Sequence, residues 1–247
     1  MPELSKPQRL TLSTQILRQM EQCILHNVWA IGEKIPGELE LMAQFGVSRN
    51  TVREAVQSLA YAGVLQTRPG DGTYVLCRDK FDAALQTRLR DARLSEILET
   101  RLVLETDIVR LASLRRQEQE VAALAAMLAQ RDAPDLEKRE FVQADSAYHL
   151  KVAELCHNCL LFDLYRSLLA FLEELVEAYL FSSGFDRQLA EHQALYRAIA
   201  SQNADEAARI VHCLVLSERE TFTRAGIIHA QQTQQNKKEE SDHAYPE

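Results

Sequence analysis

Apolar residues recur at helical spacing along the first part of the chain, in stretches that are all short. Three of these stretches predict helices that each end at a glycine-containing turn: 10–27, 39–45 and 48–62. Two shorter runs follow, 64–68 and 73–76, on either side of the sequence Pro69-Gly70-Asp71-Gly72. Short runs around a turn of this composition predict a β-hairpin.

After a short polar link, the apolar pattern is helical throughout. It predicts seven further helices, over 81–91, 94–115, 117–131, 135–156, 159–182, 186–201 and 203–223. The longest apolar stretch, 160–181, contains five charged residues. It therefore predicts an amphipathic helix of a bundle and not a membrane span.

The predicted fold is mainly α and has two domains. Residues 1–76 are expected to form a winged helix-turn-helix, with three helices and a β-hairpin wing. Residues 77–82 are expected to link it to an all-α antiparallel helical bundle over 83–225. The remaining residues, 226–247, are polar and charged, and we expect a disordered tail there because they have almost nothing to bury.

Charge divides the chain in the same way. The net charge is −8 at pH 7, but residues 1–80 carry 9 basic and 8 acidic side chains, whereas residues 81–247 carry 19 and 28. The first domain can therefore present a basic face to DNA. The N-terminus lacks the continuous apolar segment of a secretion signal, so the five cysteines are expected to be reduced thiols. We expect a cytoplasmic protein with no membrane partner.

The 48–62 helix has the features of a DNA-recognition helix. Two short helices joined by a tight turn are typical of a helix-turn-helix, whose second helix enters the major groove. Arg49, Asn50 and Arg53 lie opposite the apolar face of this helix, and arginine and asparagine are suited to bonds with guanine, phosphate and adenine. Arg68 and the turn at Gly70 suit contact with a backbone or minor groove. Solvated arginines on a helical pair would have the same spacing, so both interpretations remain open.

Several residue strings in this part are specific enough to compare with known families: Ile35-Pro36-Gly37-Glu38, Phe45-Gly46-Val47-Ser48-Arg49, Thr51-Val52-Arg53-Glu54-Ala55-Val56 and Gly70-Asp71-Gly72-Thr73-Tyr74-Val75. They closely resemble the GntR family of bacterial transcription regulators over residues 10–76. The resemblance implies a wing tip at Gly70 and recognition contacts from Ser48, Arg49, Asn50, Thr51 and Arg53. Leu39 departs from the family, whose members often carry arginine there.

Acidic and histidine side chains recur on the apolar faces of the predicted bundle. Asp145 and His149 share one stripe, His192 lies on that of a later helix, and His212 on that of the last one. A single core histidine is ordinarily a hydrogen-bonded structural residue. Four such groups in one bundle need partners, and one divalent ion would satisfy all of them.

This pattern resembles the FCD domain, the all-helical effector domain of FadR-type GntR regulators. Metal-binding members use an aspartate, a histidine four residues later, and one histidine from each of two later helices. The resemblance assigns these places to Asp145, His149, His192 and His212. Nitrogen and oxygen donors accept zinc, nickel or manganese, with zinc foremost, and the set leaves open positions for a carboxylate effector.

Arg101 has Glu105 four residues later, on one apolar stripe. The spacing predicts a buried ion pair or, by the resemblance, an effector clamp, because a guanidinium holds a carboxylate bidentately.

The pair Cys156 and Cys159 has Cys-x-x-Cys spacing, but no second pair and no βαβ context accompany it. We interpret it as incidental.

The combined pattern predicts a metabolite-responsive regulator, most often a repressor in this family, that controls genes for a small organic acid. One winged helix offers few contacts, so a homodimer on a palindromic double-stranded operator is expected. A metal hydrolase is an alternative, but no nucleophile or base lies beside the ligands. A second alternative is a regulator for which the ion itself is the signal.

Overall fold

The computed structural model describes residues 10–180 and 189–224. The helices are α1 Leu12–Leu25, α2 Glu38–Phe45, α3 Arg49–Tyr61, α4 Lys80–Asp91, α5 Leu94–Arg115, α6 Glu118–Arg131, α7 Lys138–Glu154, α8 Cys159–Leu180, α9 Leu189–Ala200 and α10 Ala204–Arg224. The strands are β1 Leu65–Arg68 and β2 Gly72–Val75, which pair antiparallel with Leu65 opposite Val75.

The predicted fold class is confirmed, and the described element ends lie within three residues of the predicted ones. The start of α7 differs because Glu137 caps the helix, with its backbone N–H donating to Glu140 at 3.1 Å. Pro134 in the preceding turn also disfavours helix before it. The predicted end of α8 at 182, the predicted start of α9 at 186 and the tail 226–247 lie outside the described residues.

Local capping explains the three N-terminal helices. The Thr11 side chain accepts from the backbone N–H of Thr14 at the start of α1, and the Ser48 side chain accepts from that of Thr51 at the start of α3. Gly46 ends α2 with φ +64°, a left-handed conformation that costs glycine little. The helices and the hairpin enclose a core that includes Met20, Leu41, Val52, Leu59 and Val75.

The second group of helices packs around α5. Arg116 follows α5 and donates to the carbonyl of Ala200 before α10, while Glu99 near the start of α5 pairs with Arg219 near the end of α10. The two helices are therefore antiparallel. The core of this second group of helices includes Val109, Tyr148, Leu195 and Val211.

The chain divides into two compact units between Thr87 and Arg88, within α4. The expected linker, 77–82, is partly structured. Helix α4 already begins at Lys80. Cys77 and Ala83, at either end of the segment, belong to the core of the first unit. The predicted domain boundaries stay predictions. No helix in the ranges 10–180 and 189–224 is long and apolar enough to cross a membrane.

Candidate functional site

The predicted recognition helix α3 presents its polar residues away from the core of the first unit. Val52 and Leu59 are fully buried, whereas Arg49 and Asn50 are exposed. Ser48 and Thr51 are joined by their hydroxyl groups at 2.8 Å as part of the helix cap. Their first role in this structure is therefore to start the helix.

Glu38 joins the two arginines of α3. Its Oε2 lies 2.7 Å from Arg49 Nε, and its Oε1 lies 3.5 Å from Arg53 Nε. Both arginine side chains remain more than half exposed. One carboxylate from α2 thus holds two guanidinium groups side by side on the exposed face of α3, a role that the spacing along α3 did not reveal.

The hairpin has a defined tip. Gly70 has φ +76°, and the Arg68 guanidinium lies over the Tyr74 ring at 4.2 Å from the ring centre. Asp71 accepts from the Tyr74 hydroxyl at 2.8 Å and pairs with Lys34 at 3.3 Å. These two bonds lower the pKa of Asp71. The stacked Arg68 therefore lies beside a turn that is fixed to the rest of the unit.

Three of the four predicted metal ligands meet inside the second unit. The Nε2 atoms of His149 and His192 are 3.1 Å apart. Asp145 Oδ2 lies 3.7 Å from the first nitrogen, and its Oδ1 lies 3.6 Å from the second. In the described part of the chain these three form the one group of donors close enough to share an ion. Both histidines are buried.

His212 does not join this group, contrary to its expected place among the ligands. The inward stripe of α10 runs through Ala207, Val211 and Leu214, all buried. His212 follows Val211 by one residue, which is about 100° around a helix of 3.6 residues per turn. Its side chain is therefore exposed.

Glu105 fixes the orientation of the His149 ring. Its Oε1 lies 3.0 Å from His149 Nδ1, and both side chains are almost fully buried. Burial lowers the pKa of His149, but the hydrogen bond and charge of Glu105 outweigh it, so the pKa is raised. With its Nδ1–H donated to a carboxylate, a neutral His149 has its lone pair on Nε2, the nitrogen that faces His192.

Arg131 is a charged residue of this site that the sequence analysis did not identify. Its side chain is 1% exposed, and its Nε donates to Asp145 Oδ1 at 2.5 Å. Its Nη1 pairs with Asp132 at 2.8 Å, and its guanidinium lies 5.0 Å from the centre of the Phe141 ring. Arg131 thus holds Asp145 by the same oxygen that lies 3.6 Å from His192 Nε2.

Arg101 was expected to form a buried ion pair or an effector clamp, and in this structure it forms the ion pair. Its Nε donates to Glu105 Oε2 at 2.8 Å, and its Nη1 donates to Glu218 of α10. Tyr165 is buried nearby, and its hydroxyl makes no hydrogen bond of normal geometry to any described residue. Burial, followed by the charge of Glu105, raises the pKa of Tyr165. Glu105, which bonds both Arg101 and His149, therefore connects the ion pair to the histidine cluster through His149.

The Cys-x-x-Cys pair does not form a common site. Cys156 is buried and Cys159 is exposed, and both are free thiols. Burial raises the pKa of Cys156, which disfavours the reactive thiolate. Its incidental interpretation stays a prediction.

A recognition helix with outward arginines, a hairpin wing and a separate helical unit together define a DNA-binding transcriptional regulator. The chain belongs to the GntR family. The profile "Bacterial regulatory proteins, gntR family" matches residues 12–75, and that of the FCD domain matches residues 96–216. The enzyme alternative is excluded by this membership, because the family consists of regulators.

Similar proteins support the same assignment. The chain is 30% identical to the HTH-type transcriptional regulator LutR of Bacillus subtilis, over 73% of this chain and 88% of LutR. It is 29% identical to the Uxu operon regulator of Haemophilus influenzae, over 79% and 76% of the two chains. It is 27% identical to the galactonate operon transcriptional repressor of Escherichia coli, over 84% and 95%. The fold is similar to that of Streptococcus agalactiae GntR, with a TM-score of 0.50 at 24% identity over 84% and 99%.

Proposed function

We propose that this regulator responds to a small organic or sugar acid, which the helical unit binds through a divalent metal ion held by Asp145, His149 and His192. The observation that carries the proposal is the 3.1 Å distance between the two histidine Nε2 atoms. Two nitrogens that each lie about 2.0–2.1 Å from one zinc ion at a tetrahedral angle are about 3.3 Å apart.

The charges of the cluster, whose side chains are buried or partly buried, support a divalent cation. Two guanidinium groups, those of Arg101 and Arg131, face four carboxylates, those of Glu105, Asp132, Asp145 and Glu218. With neutral histidines the cluster has two negative charges in excess. Uncompensated charge is costly inside a protein, and one divalent ion balances it.

The donor set favours zinc, and nickel and manganese also accept it. Two imidazoles and one carboxylate suit any of these ions and leave coordination positions open. Glu105 behind His149 is an outer-shell partner of the kind that orients metal-binding histidines. An acid effector could use the open positions while its remaining carboxylate oxygen pairs with Arg101.

The chemical class of the effector follows from the chemistry and from the relatives. A metal with open positions beside a guanidinium suits a carboxylate that carries further oxygen donors. One relative is the repressor of a galactonate operon. We therefore propose a hydroxylated carboxylic acid as the effector and repression as the mode of regulation.

The first unit is proposed to bind a palindromic operator as part of a homodimer. A single helix with Arg49, Asn50 and Arg53 covers few base pairs, and two copies double the contacts. Arg68 and Gly70 would then meet the backbone or minor groove beside each half-site. Sedimentation of the full chain, with and without operator DNA, would contradict this if it gave a monomer at micromolar concentration.

The experiment that tests the metal proposal is elemental analysis of protein purified without chelator, followed by zinc titration of the wild type and of His149→Ala. We expect one ion per chain in the wild type and a strong loss in the variant. Absence of metal, together with no effect of added divalent ions on thermal stability, would overturn the proposal. Varying ion and acid separately while DNA binding is measured shows whether the acid or the ion is the signal.

A further inference from the structure

We infer that Glu218 is an internal competitor of the effector: its carboxylate and that of the acid use the same guanidinium, Arg101. The inference rests on the proposed function. It makes Glu218 a residue that determines which acids bind.

The Arg101 guanidinium makes hydrogen bonds on two sides, and a carboxylate occupies each of them. Glu105 bonds Nε and Glu218 bonds Nη1, while the Arg101 side chain is only 6% exposed. An incoming carboxylate that needs a bidentate pair must therefore displace one of them.

Glu218 is the more readily displaced of the two. Glu105 is 4% exposed and is held a second time by His149 Nδ1 at 3.0 Å. Glu218 is 28% exposed, lies on the other helix of the antiparallel pair, and has Arg101 as its one ion-pair partner among the described residues. Burial and the neighbouring Glu105 act against the Arg101 charge and leave the pKa of Glu218 raised. The surroundings of the Glu218 carboxylate thus disfavour its charged form, although the Arg101 charge favours it.

Charge balance points to the same exchange. A divalent ion neutralises the two excess negative charges of the cluster, so a bound acid would bring a new one. If Glu218 turns towards solvent as the acid arrives, the buried charge stays balanced. The exchange also removes the Arg101–Glu218 contact between α5 and α10. The acid therefore favours arrangements in which these two helices are not joined at this point.

The competition selects among acids. A tethered side chain acts at an effective concentration in the millimolar range or above. A simple monocarboxylate cannot outcompete it at ordinary concentrations. An acid that is also anchored at the metal can, so Glu218 would restrict the response to acids with several oxygen donors.

The test is chemical rescue with acetate, a carboxylate that resembles the end of the Glu218 side chain. Sodium acetate is titrated against a sodium chloride control of equal ionic strength into full-length, zinc-free wild type, Glu218→Ala and Glu218→Gln. Binding is followed by thermal shift and calorimetry. The exposed Glu220→Ala on the same helix is the matched control. Zinc-free protein reports on Arg101 alone, so the outcome does not depend on the metal proposal.

We expect Glu218→Ala to bind acetate at least about tenfold more tightly than the wild type and the control, a difference of about 1.4 kcal/mol. Adding Arg101→Met to this variant should abolish the gain. Glu218→Gln keeps the side-chain shape without its charge and should show a smaller gain in the same direction, which covers the case in which the alanine variant fails to fold. Equal acetate affinity in all proteins, or no binding by any folded Glu218 variant at high millimolar acetate, would overturn the inference.

Discussion

His149 Nδ1 lies 3.0 Å from Glu105 Oε1, and this contact selects the nitrogen of His149 that can bind a metal. The ring donates its Nδ1–H to the carboxylate, and the lone pair of Nε2 then faces His192 and Asp145. Because the other oxygen of Glu105 is bonded to Arg101, the same carboxylate connects the proposed metal centre to the proposed effector clamp.

The first prediction concerns this contact. Glu105→Gln keeps the shape of the side chain but removes the charge that orients His149. Substitution of such outer-shell partners typically lowers metal affinity about 10- to 100-fold, and we expect a loss of that size. Zinc competition against a chromophoric chelator measures it. Glu99→Gln, an exposed glutamate of the same helix, is the control, and equal zinc affinity of all three proteins would contradict the role of Glu105.

The second prediction separates the two histidines that the sequence treated alike. His192→Ala removes a donor from the cluster and should lower zinc affinity by more than the roughly 100-fold upper value for outer-shell partners. His212→Ala should leave the affinity unchanged, because its side chain is exposed away from the cluster. The same chelator competition applies. A strong loss in His212→Ala would restore the four-ligand set and refute the correction.

The fold was predictable because its signals are local. Caps at Thr11 and Ser48, the left-handed Gly46 and the spacing of apolar residues set the element ends, and each acts over a few residues. The meeting of three of the proposed metal ligands was predictable for the same reason. Asp145 and His149 are four apart on one helix, and His192 lies in the middle of an apolar stripe.

The errors and omissions arise where the packing between helices, and not the local sequence, determines which side chains face inward. Ala208 and Val215 belong both to the true inward stripe of α10 and to the stripe that would include His212, so spacing alone could not choose between them. Glu218 was not among the residues that the sequence pattern singled out. A signal existed, since Glu218 lies four residues after the buried Leu214. Its partner Arg101 is 117 residues away, which no local pattern shows.

The third prediction concerns stability. Arg131→Met replaces a fully buried cation with an apolar side chain of similar length and leaves Asp145 and Asp132 without this partner. Breaking a buried ion pair from one side typically costs about 3–5 kcal/mol in the free energy of unfolding. Urea unfolding of zinc-free protein measures the change.

The half-exposed Arg110 offers a matched control for that experiment. Arg110→Met removes an ion pair with Asp107 at 3.4 Å on the surface of α5, where such pairs contribute at most about 1 kcal/mol. If both variants lost the same small amount, Arg131 would not be a structural anchor of Asp145.

The last prediction concerns the recognition helix and the carboxylate that holds it. Arg49→Ala and Arg53→Ala should each weaken binding to an operator selected from random DNA by about 1–3 kcal/mol, because each removes a base or phosphate contact. Glu38→Gln should act differently. It removes a negative charge beside the DNA, so affinity for non-specific DNA should rise, while the two guanidinium groups lose their common anchor and the ratio of specific to non-specific affinity should fall. Competition binding at fixed salt gives both quantities, with Arg110→Ala in the second unit as the control. Unchanged specific affinity in both arginine variants would show that α3 is not the recognition helix.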